Sequence, residues 1–355
     1  MIQVGREIVL DHDSQGMPRR VFSRRGARVE IVHQRQRTKV DDRLRGHAPR
    51  LPTRIHRLLR MVDAPLPPLD IVLASWNNLP YLKLCVDSFR RHSAAAHRLL
   101  IHVNDGSDGT REWLRAQGIA FTESAENIGI CRAFNRAARL GTGALVCLVN
   151  DDMYALPGWD RALCRRVEAL GIERYMLSGT MIEPTETGNP CVRVADFGTA
   201  VERFREADLL AAAPRLAIQD WYGSSYCPLV MPRFLWDEVG GLSEEFSPGM
   251  SSDPDLAMKC WRAGCRTFLG IGDSLTYHFQ CKSTGRVERN PGPRQFLEKW
   301  GIPQSLFNRA YLRKGLPATD LRLSEPRLTI PFVWHMTRGR VKSFAQRAMM
   351  GSSLR

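Results

Sequence analysis

The feature that most restricts the fold is an alternation between Leu69 and Asn150: short apolar runs exchange with stretches of helical spacing, four strands and three helices in about eighty residues. The strands are expected at Leu69 to Ala74, Leu99 to Val103, Ile119 to Thr122 and Ala144 to Val149. The helices are expected at Leu79 to His92, Thr110 to Gln117 and Ile130 to Leu140. Strands separated by helices imply βαβ units, hence a mainly parallel, doubly wound sheet. Parallel strands place their carboxyl ends on one edge, where ligands of open α/β sheets bind.

Two of those ends are acidic. The second strand runs into Asn104-Asp105-Gly106-Ser107-Asp108-Gly109-Thr110 and the fourth into Asn150-Asp151-Asp152. Adjacent oxygens at the end of a buried strand suit a hard cation such as Mg²⁺ or Mn²⁺, which could clamp a diphosphate. The competing reading of Asn150-Asp151-Asp152 is a polar turn that starts the next helix. Asp105 has two readings as well. As an acceptor-only carboxylate it suits the N–H and O–H donors of a nucleoside, and as an Asp before Gly it suits a turn.

Charge and length bound the remainder. The 355 residues carry a formal net charge of +14, but the excess lies before residue 69 and after residue 312. The basic flanks therefore describe what the protein rests on and say little of what its centre does. Residues 1–68 read as a basic extension and linker, with alternating stretches at Arg6 to Leu10 and Arg28 to His33 and a short helix through Ile55, Leu58, Leu59 and Val62. The prolines around Pro65 mark its end. Residues 69–300 read as the central α/β domain and 301–355 as a basic tail. In that tail Val333, Trp334, Val341, Phe344, Ala345 and Ala348 approximate one helical face, either laid on an anionic membrane surface or packed on the domain. No apolar stretch spans a bilayer and the start lacks a secretory signal, so the expected compartment is the cytoplasm, with peripheral attachment to the membrane's inner face as an option. Nine cysteines without a Cys-x-x-Cys pair point to reduced thiols.

Taken in order, these segments resemble a family 2 glycosyltransferase of the A-type fold. Ser75-Trp76-Asn77 stands where that family has its first-strand Tyr-Asn, and the Asp105 loop is similar to Asp-Asp-Gly-Ser-x-Asp-Gly-Thr. Glu126-Asn127-Ile128-Gly129 resembles Glu-Asn-x-Gly, and Asn150-Asp151-Asp152 resembles the Asp-x-Asp or Asn-x-Asp metal motif. Further on, Gly240-Gly241-Leu242-Ser243-Glu244-Glu245-Phe246 is similar to Gly-Gly-Phe-Asp-Glu-x-Phe, Ser252-Asp253-Pro254-Asp255-Leu256 to Glu-Asp-x-Asp-Leu, and Leu275-Thr276-Tyr277-His278 to the strand bearing a late metal-binding histidine. Three departures stand out: the acidic loop is one residue short, Ser252 replaces a Glu, and Phe134 stands where Arg is frequent.

The resemblance implies a single Rossmann-like mixed, mainly parallel α/β sheet flanked by helices, and an inverting transfer of sugar from a nucleotide-diphosphate sugar to a hydroxyl of a glycan or lipid-linked glycan. It implies donor contacts at Ser75, Asn77, Asp105, Asn127, Asn135, Asn150 and Asp151, a Mn²⁺ or Mg²⁺ ion on Asp152 and His278, and Asp253 as the base. A lone histidine at a strand end is otherwise a hydrogen-bonded structural residue. Asp253 also reads as an N-cap with Pro254 at the first helical position of a helix ending at Ala263, its carboxylate held ionised by the helix dipole. Trp221 and Tyr222, before a Gly-Ser-Ser run, read as an acceptor-stacking pair or as core. A nucleotidyltransferase would need a Gly-rich, basic loop that Ala74 to Leu79 lacks. A nucleic-acid-binding module on the basic flanks leaves the acidic strand ends without a purpose, so nucleic acid is not an expected partner.

Overall fold

A computed structural model describes residues 66–224, 227–280 and 288–327, with Thr337. The expected hairpin and helix before residue 66 and the apolar face of the tail lie outside the described residues.

The sheet grows from β1 (Leu69–Trp76), whose eight residues are buried save for two partly exposed ones near its end. Burial on both faces explains its near-continuous apolar run. The strands β2 (Arg98–Asn104), β3 (Ala120–Ser124) and β4 (Leu145–Asn150) follow, and the order across the sheet begins β3-β2-β1-β4, all parallel. The direction of winding reverses between β1 and β4, which is the switch point where a crevice opens. Beyond β4 come, in spatial order, β9 (Leu229–Pro232), β6 (Tyr175–Glu183), β10 (Thr267–His278) and β5 (Met153–Ala155), with β7 (Val192–Val194) on β6 and β8 (Trp221–Tyr222) on β10. β9 runs antiparallel to both β4 and β6, and β5 and β8 antiparallel to β10. The sheet is thus mixed, as expected.

Helices α1 (Leu79–His92), α2 (Thr110–Ala116), α3 (Ile130–Ala138) and α4 (Trp159–Leu170) form the crossovers. α1 has Pro80 in its first turn, three basic residues in its last, and buries Leu82, Cys85, Val86 and Phe89 at helical spacing. α5 (Glu206–Leu216), α6 (Arg233–Val239), α7 (Ser252–Arg262) and α8 (Gly292–Trp300) follow in the second half. At the start of β1, the buried Asp70 accepts hydrogen bonds from Arg98 Nε (2.7 Å), Arg233 Nη2 (2.9 Å) and the Gly143 N–H (2.7 Å), joining four segments.

One expected boundary moves with consequence. α7 begins at Ser252, and the first helical bond runs from the Asp255 N–H to the Ser251 carbonyl (3.1 Å). Ser251, at φ 70°, occupies the capping position, so Asp253 lies inside the first turn and caps nothing. Tertiary contacts fix this start: Ser251 Oγ is 2.5 Å from Gln304 Oε1, and Asn290 bonds Met250 through both backbone groups.

Candidate active site

The β1–β2 register pairs Trp76 with Asn104, which brings the residues beyond each strand together. Asn77 Nδ2 donates to Asp105 Oδ2 (2.7 Å) and to Ser107 Oγ (3.1 Å), while the Ser107 N–H reaches Asp105 Oδ1 (3.2 Å). These bonds, from Asn77 first and then Ser107, hold the Asp105 carboxyl below the usual carboxylate range. Both Asn77 (φ 45°) and Asp105 (φ 61°) take left-handed backbone, a conformation Asn and Asp tolerate better than most residues. The loop's second acid, Asp108, accepts the Leu79 N–H (2.8 Å), the Thr110 N–H (3.1 Å) and the Thr110 hydroxyl (2.6 Å), so it secures the starts of α1 and α2. On the other side Asn104 Oδ1 accepts the Ile128 N–H (3.0 Å) and Asn127 Oδ1 the Gly129 N–H (2.9 Å), which shapes the loop into α3.

A cavity of about 490 Å³ opens at these strand ends. It is lined by Ser75, Asn127, Asn150, Asp151, Asp152 and His278, six of the residues expected from sequence, with Asn104 and Glu183 beside them. The side chain of Ser75 is buried and its hydroxyl has no hydrogen-bond partner in the protein, so a polar group stands ready at the wall.

Two registers converge on His278. β10 pairs antiparallel with β5 so that His278 faces Met153, and parallel with β6 so that Tyr277 faces Ile182. His278 therefore lies between Asp152 and Glu183: Nε2 is 3.4 Å from Asp152 Oδ1 and Nδ1 is 2.8 Å from Glu183 Oε1. Both carboxylates are nearly buried. Burial pushes the imidazolium pKa down, but the Asp152 and Glu183 carboxylates outweigh it and raise it to about 10. Two carboxylates around one imidazole therefore leave the cluster with an excess of negative charge. Thr187 Oγ1 donates to the other Glu183 oxygen (3.1 Å).

That arrangement fits a divalent ion. Asp152 supplies a hard oxygen and His278 a nitrogen, and Glu183 would take the Nδ1–H, fixing the tautomer that leaves Nε2 free to ligate. Among the described residues no set of three or more His, Cys, Asp or Glu side chains is arranged to hold a metal.

Glu183 was not foreseen. Its signal was available: an acid ending the apolar run of β6, as Asp152 follows that of β4.

Of the other six expected site residues, Asn77 and Asp105 pair with each other next to Trp76 and Asn104 of the lining without lining it themselves, and four fall elsewhere. Asn135 uses both ends of its amide on Leu242, donating to the carbonyl (2.8 Å) and accepting the N–H (2.9 Å), and so braces the Gly241-Leu242 turn away from the cavity wall. Trp221 is buried with Nε1 on Thr180 Oγ1 (3.0 Å), its indole filling the space that Gly270 leaves open. Tyr222 is buried, its hydroxyl accepting the Asp320 N–H (2.7 Å) and the Thr319 N–H (3.1 Å). Neither aromatic ring offers a face to a sugar, and of their two readings the core reading holds.

Asp253 does not line the described cavity. It is partly buried in the first turn of α7, in electrostatic contact with Lys314 and with the thiols of Cys131 and Cys227. Burial pushes its carboxyl up to about 7 against the downward pull of the Lys314 ammonium. The expected direction, a carboxylate held low by the helix dipole, is thus reversed, because desolvation outweighs the dipole.

Residues 70–184 match the family described as Glycosyl transferase family 2. The family read from the motifs is the one this segment, β1 through β6, matches. A comparison with curated protein sequences finds no match. Among solved structures the chain is similar to GalNAc-T7 with UDP, GalNAc and Mn²⁺, at 11% identity and a TM-score of 0.49, over 70% of this chain and 51% of that one. It is similar to S. aureus TarS 1-349, at 11% and 0.45, over 59% and 60%. The mannosyltransferase PcManGT from Pyrobaculum calidifontis in complex with GDP-Man and Mn²⁺ aligns at 14% and 0.41, over 85% and 87%. The chain spans about half the length of the GalNAc-T7 chain and three fifths of the TarS chain.

Proposed function

We propose, from the family 2 glycosyltransferase identity of β1 through β6, that the protein moves a sugar from a nucleotide-diphosphate donor to a hydroxyl of a glycan or lipid-linked glycan with inversion at the anomeric carbon. The observation that carries the proposal is the Asp152–His278–Glu183 cluster on the wall of a cavity at the switch point of the sheet. The nucleoside lies along Ser75, Asn127 and the Asn77–Asp105 pair, whose carboxylate stays ionised and accepts from base or ribose. Asn150 and Asp151 face the sugar and diphosphate. A Mn²⁺ or Mg²⁺ ion on Asp152 and His278 would neutralise the charge that collects on the diphosphate as it leaves. Glu183 orients the imidazole by accepting the Nδ1 proton. Asp253, at about 7, takes the proton of the acceptor hydroxyl as that oxygen attacks, since a base works best when its pKa lies near the working pH.

The test is a thermal-shift panel of UDP-, GDP-, dTDP- and CMP-sugars with and without Mn²⁺, on the parent and on Asp152→Ala. The parent should gain stability from one donor class only with metal, and the variant should lose that gain. Donor binding that survives both EDTA and the substitution removes the metal site from the proposal.

A further inference from the structure

A strand buried on both faces of a parallel sheet is expected to be apolar throughout. β2 and β3 depart from that: their register sets His102 opposite Thr122 and Asn104 opposite Ser124, which puts four polar side chains on one face. His102 is fully buried and both of its ring nitrogens are engaged, Nδ1 at 2.7 Å from Thr122 Oγ1 and Nε2 at 3.2 Å from Ser124 Oγ. The Ser124 hydroxyl has acceptors on its other side, the Glu126 carbonyl at 2.7 Å and Asn104 Oδ1 at 3.2 Å. Its single proton goes to one of those, so its oxygen accepts from His102. That assigns the imidazole proton to Nε2 and leaves Nδ1 to accept from the Thr122 hydroxyl. Burial and the Arg136 guanidinium of α3 lower the ring's pKa to about 4, so this neutral form prevails at neutral pH.

The polar row ends at the cavity. Asn104 Oδ1 also accepts the Ile128 N–H (3.0 Å), so both of these bonds fall on the oxygen and the Nδ2 donor is left for the cavity that Asn104 lines. Ser124 thus holds the loop between β3 and α3 at Glu126, and Asn104 holds it two residues on, with Asn127 and Gly129 of that loop in the cavity wall. The Ser124 carbonyl accepts the Asp105 N–H as well (3.1 Å). We propose that His102 is a positioning residue for the nucleoside end of the cavity: by donating to Ser124 it orients that hydroxyl, and through it the Asn104 amide and the Glu126–Gly129 loop. The inference rests on the reading that a nucleoside lies along this end. A histidine that only filled space in the sheet would be replaced without loss by an apolar residue of similar size, which a buried parallel strand favours.

The first readouts need no ligand. Long-range ¹H–¹⁵N correlation of the parent's imidazoles at neutral pH should show the His102 proton on Nε2, and a proton on Nδ1 overturns the proposal. Hydrogen exchange at the Ile128 amide should quicken by about tenfold, the worth of one ordinary hydrogen bond, in His102→Leu and in Ser124→Ala. It should stay near the parent's in His102→Gln, whose amide can donate to Ser124 and accept from Thr122. Protection unchanged in whichever of the Leu and Ala variants folds overturns the proposal, as does a Gln variant that loses as much as Leu. Binding of UDP, GDP, dTDP and CMP in the presence of Mn²⁺ is then measured by calorimetry. For the nucleotide that the parent binds, the Leu and Ala variants should lose about tenfold in affinity and Gln less than about twofold, with turnover at saturating donor unchanged. Parental affinity in a variant whose Ile128 amide has lost protection overturns the role in binding. A parent that binds none of the four overturns the reading of the cavity itself, and that result is seen before any substitution is made.

Discussion

Replacing Asp253 by Asn should stabilise the protein at neutral pH while disabling it. A carboxyl whose pKa is raised on folding from 3.8 to about 7 binds its proton more tightly in the folded state than in the unfolded one. The folded state is therefore undisturbed below about pH 4, loses stability as pH climbs through the interval between 3.8 and 7, and bears the full cost above about pH 8. At 1.36 kcal/mol per unit, that cost reaches about 4 kcal/mol, a large share of the 5–15 kcal/mol by which folded proteins are ordinarily stable. Asn is neutral at every pH and close to Asp in shape, so it removes the cost and keeps the packing. Urea unfolding at pH 7.5 should show Asp253→Asn with a midpoint higher by on the order of 1 M, and at pH 4 the two proteins should coincide. Its turnover at pH 7.5 should fall by on the order of 10² to 10⁴. A stability difference equal at both pH values, or of opposite sign at pH 7.5, would refute the reasoning. A capping Asp, the reading drawn from Asp-Pro-Asp alone, gives no such gain at neutral pH.

Glu183→Gln keeps a hydrogen-bond acceptor for the His278 ring but removes its charge, and should weaken Mn²⁺ affinity by about 10- to 100-fold, read by calorimetric titration of the metal. Asp70→Ala leaves Arg98 and Arg233 without their shared buried partner and should cost about 3–5 kcal/mol in denaturant unfolding, with donor binding at saturating metal retained in the folded fraction. Gly270→Ala sets a Cβ 1.8 Å from Trp221 Cε2 and should cost about 1–3 kcal/mol or more by the same assay.

Much of the first half was legible because its chemistry is local. The helix over Leu79–His92 was read to the residue from its apolar spacing, and β1, β2 and β4 were each found within a residue or two of their ends. Asn-Asp-Asp after a buried strand and Asp-Gly-Ser-Asp-Gly-Thr after another carry their own turn chemistry, so the strand ends and their acids could be placed together. The expected residues that fall away from the cavity share a feature. Asn135, Trp221 and Tyr222 are polar or amphipathic side chains whose partners, Leu242, Thr180 and Asp320, lie 41 to 107 residues away. A local pattern cannot tell a hydrogen bond to a distant part of the chain from one to a ligand. β9 escaped for the same reason: four residues, Leu229–Pro232, enter the sheet antiparallel between β4 and β6, and nothing near them in the chain names those neighbours.

The placement of His278 shows most directly how distant pairing decides the site. From Thr267 to Ile271, β10 advances with β6 one residue at a time, ending with Ile271 opposite Gly179. Continued unbroken, that register would bring Leu275 opposite Glu183, and the buried carboxylate would face an alkyl chain. The register shifts instead, and Leu275 pairs with Thr180, so that Tyr277 meets Ile182 and His278 reaches Glu183. The displaced residues are held by specific contacts. The Gly272 N–H donates to Asp220 Oδ1 (3.0 Å), a Cβ on Gly272 would lie 1.8 Å from the Ile218 carbonyl oxygen, and Ser274 Oγ donates to the Trp159 carbonyl (2.8 Å). Bulges of this kind re-aim a side chain beside an active site. Asp220, just before β8, accepts the Ala318 N–H through its carbonyl (2.9 Å) and thus also anchors the irregularity that sets His278, so residues 315–318, β8 and the bulge together support the Asp152–His278–Glu183 cluster.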